Sequence, residues 1–271
     1  LIADDMGLGK TIQSIAAAEL LAKICCIERV LVVCPTALKH QWADEIKRFT
    51  NRSAMVIEGL KPKRSELYEE DSSYKISNYD VIHRDLVEIN RWQPDLVILD
   101  EAQRIKNWET RRAKSVKQID TQYAFVLTGT PLENRLSELH SIMEFIDKFH
   151  LGPLFRFLHV HQHVDEDGRV IGYKNLDGIK TTLDSVLVRR RKQDVIQELP
   201  ERTDKHYFVK MTEEQETIHG ENAQIVMWVV NKWKRMGFLS EKDQRRLMVA
   251  LQYMRMSCNS TFLIDKLIER F

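Results

Sequence analysis

Five short strand-patterned runs, Val30 to Cys34, Ala54 to Ile57, Lys75 to Asn78, Leu96 to Leu99 and Ala124 to Leu127, alternate with stretches of helical periodicity. Such alternation predicts an α/β fold, a parallel sheet whose right-handed crossovers are helices flanking it. A chain of 271 residues, 43% of them hydrophobic, can bury one sizeable core and a smaller appendage.

Two strings at strand ends carry chemistry. Residues 3–11 read ADDMGLGKT, between a short apolar strand at Leu1 to Ala3 and a helix-periodic stretch from Ile12. In a strand, glycine loop and helix of this kind, Asp5, Met6, Gly7, Leu8, Gly9, Lys10 and Thr11 can wrap an anion. The glycines let main-chain amides face it, Lys10 reaches terminal phosphates, and the Thr11 hydroxyl can ligate magnesium. The strict phosphate-loop pattern needs glycine at position 4, where this chain has Asp4. Taken alone, the string also suits an ordinary strand-to-helix turn. The second string, VILDEAQ at 97–103, is a buried-strand pattern ending in two carboxylates. Ligands of open α/β sheets bind beyond the carboxyl ends of strands, where Asp100 and Glu101 project. Asp100 would hold magnesium with Thr11, and Glu101 would orient or deprotonate the water attacking a γ-phosphate, with Lys10 the third catalytic residue. Two solvated acids capping a strand would explain the pair in isolation; both strings together point to a nucleotide site.

Six stretches in order, DDMGLGKT (4–11), LVVCPTALKHQW (31–42), ISNYDVIHRDL (76–86), DEAQRIKN (100–107), VLTGTPLENRLSEL (126–139) and LVRRRKQDVIQELPERT (187–203), resemble the first motor lobe of the Swi/Snf family of DNA translocases in helicase superfamily two. The DEAQ and RIKN strings look like the bacterial and archaeal branch. The resemblance implies a RecA-like P-loop lobe that uses ATP and magnesium and tracks the backbone of duplex DNA. It places Thr36, Lys39, His40, Asn78, Lys106 and Asn107 on the DNA side, and makes Thr128, Gly129 and Thr130 the coupling between the two sites. An ordinary solvated helix start would also explain Lys39 and His40, and plain turn chemistry the threonines. An RNA- or DNA-strand-separating helicase and a non-enzymatic nucleotide-binding scaffold are the alternatives.

The lobe is expected over 1–200, with a helical protrusion inserted at 136–186, and 201–271 as a linker and helical segment leading to a second motor lobe absent from these residues. The family's second lobe supplies the arginines that stabilise transition-state charge. Leu1 falls inside what should be the first core strand, so an excised segment is expected, lacking the family's upstream adenine-recognising glutamine. Trp42, Ile46 and Phe49 recur at helical spacing and should face the core, with Trp42 structural. His159, His161 and His163 alternate but read as structural rather than metal ligands, and DEDGR at 165–169 as an exposed turn. The run Arg189 to Lys192 could neutralise phosphates, is otherwise solvated surface, and by its place in the family's closing motif has a functional or bracing role. Thr212 and Gln215 form a capping box ahead of a helix ending near Gly237 with Ile218, Ile225, Val226, Val229 and Trp233 on one face; a second helix turns Leu247, Ala250, Leu251 and Met254 inward.

With a formal net charge of +1, any nucleic-acid affinity must come from local basic patches. The four cysteines, Cys25, Cys26, Cys34 and Cys258, form no CxxC pair; three lie in or near apolar segments, as packed thiols of a reducing compartment do. No stretch of eighteen apolar residues and no signal peptide occur. The expectation is an intracellular protein without membrane partner or metal cluster, cytoplasmic and nucleoid-associated in a bacterium, nuclear in a eukaryote.

Overall fold

At the centre of a five-stranded parallel sheet lies β1 (Val30–Cys34), flanked by β3 (Tyr74–Asn78) and β4 (Leu96–Leu99), with β2 (Ala54–Val56) and β5 (Tyr123–Val126) outermost. The computed structural model describes residues 1–129, 135–165, 169–195 and 205–264. The chain divides into two compact units, Leu1–Leu199 and Pro200–Phe271.

The central strands are hydrophobic on both faces because helices cover both. On one face Val30, Val32, Cys34, Ile76, Leu96 and Ile98 meet Ile15 and Ala18 of α1 (Lys10–Cys25) and Trp42 and Ile46 of α2 (Lys39–Phe49). On the other, Leu31, Val33, Val97 and Leu99 meet α3 (Lys61–Glu69), α4 (Ile82–Trp92) and α5 (Arg111–Val116) through Tyr68, Ile82, Ile89 and Val116. Lys75 sits in a fully buried strand because its ammonium donates to the carbonyls of Leu67, Tyr68 and Glu70, which end α3. Residues 1–3 make two isolated parallel bridges rather than a full strand: Ile2 pairs with Leu127, just past β5, and with Val188.

Beyond the sheet, α6 (Leu136–Ile146), α7 (Leu154–His161) and α8 (Leu176–Leu183) bury Leu139, Met143, Phe157, Ile179 and Leu183 together. Between α7 and α8 stands an antiparallel hairpin, β6 (Gln162–Val164) and β7 (Val170–Tyr173), so the expected helical insertion also carries a small sheet. At the ends of the string 165–169 the Arg169 amide donates to Asp165 Oδ1; 166–168, on which the expected turn falls, lie outside the described residues. His159 and His161 lie on a helix and His163 on a strand, so they share no face, and no metal-holding group of three His, Cys, Asp or Glu occurs among the described residues. A short helix, α9 (Lys192–Val195), closes the described part of this unit.

The second unit contains α10 (Glu213–Met236) and α11 (Glu241–Asn259). Thr212 and Gln215 form the full capping box, and Gly237 ends α10 with φ 74°. Val229 and Ala250 are buried. Among the described residues no helix is long and apolar enough to cross a membrane.

Three expectations need correction. Phe49 is 44% exposed: it is the last residue of α2, and its ring lies under the Arg48 guanidinium. Leu251 is likewise exposed. Of the cysteines only Cys34 is buried; Cys25 and Cys26 end and cap α1 at the surface, and Cys258 is exposed.

Candidate nucleotide site and nucleic-acid rim

All the motif-bearing turns leave the same edge of the sheet, the carboxyl ends of β1, β3, β4 and β5. Gly7 and Gly9 take the left-handed backbone, φ 88° and 74°, that a loop curling into a helix start requires. Lys10 opens α1, and its ammonium donates to the carbonyls of Asp4 at 2.7 Å and Asp5 at 3.3 Å. Thr11 follows on the first helical turn.

Asp4 explains its own departure from the strict loop pattern. It is fully buried, and its carboxylate receives the Arg190 side chain (Nη2 to Oδ2 2.6 Å, Nε to Oδ2 3.1 Å), the Arg190 amide (2.8 Å) and the Gln13 amide (3.2 Å). Arg190 also donates to Gln13 Oε1, and the Lys192 amide donates to Asp5 Oδ2 at 3.0 Å. The basic run is therefore a brace at Arg190, tying the loop to a segment 186 residues away. Burial acts to raise the Asp4 carboxyl, but the Arg190 and Gln13 hydrogen bonds outweigh it and hold it below the usual carboxylate range.

Across the cleft Asp100 is 9% exposed. Its Oδ2 accepts from Trp42 Nε1 at 2.8 Å, its Oδ1 from the Glu101 amide at 2.9 Å, and its main-chain carbonyl from the Tyr79 hydroxyl at 2.7 Å. Burial raises its pKa, Glu101 adds to the rise, and the Trp42 hydrogen bond and the Lys10 charge pull it back. Burial, with the Asp100 charge behind it, likewise pushes the neighbouring Cys34 thiol up to about 12.

Glu101 takes a left-handed conformation, φ 52°, uncommon for a non-glycine residue and shared among the described residues with Cys26, Gln93 and Asn175. Gln103 Nε2 donates to Glu101 Oε2 at 2.7 Å, while its Oε1 accepts from the Thr128 hydroxyl at 3.3 Å. The Thr128 amide donates to the Ile2 carbonyl. At Gly129 an added Cβ would lie 3.3 Å from Met6 Cγ and 3.9 Å from Lys10 Nζ, so this turn abuts the phosphate loop. Thr130 lies outside the described residues.

Of the proposed DNA-side residues, Asn78 donates to the Thr36 hydroxyl at 2.6 Å, joining the ends of β3 and β1. The exposed His40 faces Glu58 at 3.4 Å, Lys106 pairs with Glu138 at 3.4 Å, and Asn107 accepts from the Glu109 amide at 3.0 Å. Lys39 corrects the expectation: it is 7% exposed, and its ammonium donates inward to the Ile57 carbonyl at 3.0 Å. Sequence reasoning missed the polar roles of Trp42, Tyr79, Gln103, Gln13 and Asp4. The one available signal was Gln103, inside the DEAQ string.

A family model described as the SNF2-related domain matches residues 1–263. The chain is 28% identical over 277 residues to the yeast ISWI chromatin-remodeling complex ATPase ISW1, covering 98% of this chain and 24% of that protein. It is 29% identical to human TATA-binding protein-associated factor 172, covering 97% and 16%. It is 31% identical to the putative ATP-dependent helicase/translocase YwqA of Bacillus subtilis, covering 80% and 24%. Among solved structures it is similar to the Sulfolobus solfataricus SWI2/SNF2 ATPase core in complex with dsDNA, with 27% identity, a TM-score of 0.63, and coverage of 97% of this chain and 54% of that one. The chain thus spans about half of that core and a quarter or less of these curated relatives. With its sheet order, its loop and its acidic strand end beside a match over 263 of 271 residues, the chain belongs to the SNF2-related family of ATPase domains.

Proposed function

We propose that residues 1–200 form the first motor lobe of an ATP-driven translocase on duplex DNA, and that 201–271 lead into the second lobe that completes its site. The observation carrying this reading is the convergence of the loop and the acidic strand end at the carboxyl edge of a parallel sheet, where Gly129 abuts Met6 and Lys10 while the adjacent Thr128 bonds Gln103, itself bonded to Glu101. The family and the likeness to a core solved on double-stranded DNA support it.

A carboxylate at Asp100 and a hydroxyl at Thr11 are the hard oxygen donors that suit magnesium. The ion, when bound, neutralises charge developing on the phosphates. The chain's own residues do the rest. Lys10 exchanges the Asp4 and Asp5 carbonyls for phosphate oxygens, and Glu101, held by Gln103, accepts the proton of the attacking water. Thr128 and Gly129, in touch with Gln103 and Lys10, carry the state of that site toward the rim formed by Thr36, Asn78, His40, Lys106 and Asn107. Contacts to backbone alone imply little sequence preference.

The test is phosphate release by the full-length polypeptide with duplex DNA, single strands or RNA. Duplex DNA should stimulate most, and Glu101→Gln should slow turnover by about 10²- to 10⁴-fold, with Lys10→Ala also losing turnover. Unchanged turnover in either variant, or preference for RNA, would overturn the reading.

A further inference from the structure

We infer that Trp42 is a positioning residue for the Asp100 carboxylate, its indole N–H holding that carboxylate in place for a magnesium ion; the inference rests on reading Asp100 as a magnesium ligand. Trp42 is 2% exposed, in the core between α2 and the sheet. Phenylalanine would satisfy that hydrocarbon environment, whereas a buried indole also needs an acceptor. The acceptor it finds is Asp100 Oδ2, at 2.8 Å.

Asp100 is held from three directions, by Trp42 at Oδ2, by the Glu101 amide at Oδ1 and by the Tyr79 hydroxyl at the main-chain carbonyl. Both carboxylate oxygens are therefore oriented before any ion arrives, and each keeps a lone pair for coordination. Hydrogen-bond donors behind a ligating carboxylate commonly govern metal affinity. Of the three, only Trp42 brings a side-chain donor to the carboxylate, and it comes from α2, whose start also carries Lys39 and His40. Movement of α2 would therefore be felt directly at Asp100.

The experiment titrates Mg2+ into the full-length polypeptide saturated with ADP, followed by calorimetry, and separately measures ADP affinity in EDTA. The variants are Trp42→Phe, Asp100→Asn and the replacement of Trp42 by 3-benzothienylalanine, which keeps the bicyclic shape and removes only the N–H. For both Trp42 variants, half-saturating Mg2+ should rise about 10- to 100-fold, with ADP affinity in EDTA changing less than about twofold. Equal weakening of ADP with and without Mg2+ would mean a general packing defect and overturn the inference. So would a shift with phenylalanine but none with the sulfur isostere. If Asp100→Asn raises the Mg2+ requirement and the Trp42 variants do not, the inference falls and the magnesium reading stands. If Asp100→Asn also leaves it unchanged, both fall.

Discussion

Asp4 occupies a position where a strict phosphate loop has glycine, and it is tolerated because a buried carboxylate there is fully partnered by Arg190 and Gln13. Those partners hold its pKa below the usual range despite burial. A depressed folded pKa contributes stability that is present above the unfolded carboxylate value, about 3.9, and is lost as pH falls through the lower folded value. Urea midpoints measured from neutral pH down into the acid range should therefore fall less steeply below about pH 4 for Asp4→Asn than for the native chain, from a lower neutral plateau; parallel curves would refute this account. At this scale the sequence was only partly legible. Lys10, Asp100 and Glu101 could be placed because spacing puts them at strand ends. Trp42 could be assigned to the core face by periodicity, but periodicity says nothing of where an indole N–H points, and Lys39 was misread because a long cationic side chain can turn back onto a carbonyl.

The loop and the 188–192 segment form one structural element out of two distant stretches. Ala3 and Asp5 donate to the Val188 and Arg190 carbonyls, and the side chains of Arg190 and Asp4 close the arrangement. Removing the brace should leave the loop to be ordered at the moment of nucleotide binding, at a cost on the order of 1–2 kcal/mol per residue freed. We expect Arg190→Ala to weaken ATP binding at least about tenfold, with Arg190→Lys intermediate, both read by calorimetry on the full-length polypeptide. Elements with strong patterns were legible: β1 and β4 appear where the apolar runs predicted them, and β5 is displaced by one residue. The β6–β7 hairpin was not, because its strands are three and four residues long and mostly exposed, leaving no hydrophobic alternation to detect. Phe49 failed for a related reason, since a stripe read from spacing does not show where the helix outruns its partner surface.

As a whole molecule the chain covers 54% of the solved core it resembles. In its second unit Tyr207, Phe208 and Val209 lie outside any helix or strand, with Phe208 97% exposed, and Trp228, Trp233 and Phe238 are exposed as well. Under the proposed function these are surfaces that a second lobe would cover. If the completing lobe supplies arginines to the site, residues 1–271 alone should hydrolyse ATP about 10³- to 10⁵-fold more slowly than the full-length polypeptide, and single-turnover rates on the two would show it. One link joins the ends of the neighbouring strands β4 and β5, from Glu101 through Gln103 to Thr128, and it is made by a carboxamide. An amide gains and loses no proton in the physiological range, so the link at Gln103 is itself indifferent to acidity and adds no titrating group between Glu101 and the loop at 128–129. An imidazole in its place would break that indifference: Gln103→His should give DNA-stimulated turnover a new inflection near pH 6.5, the ordinary histidine value, absent from the native enzyme's profile.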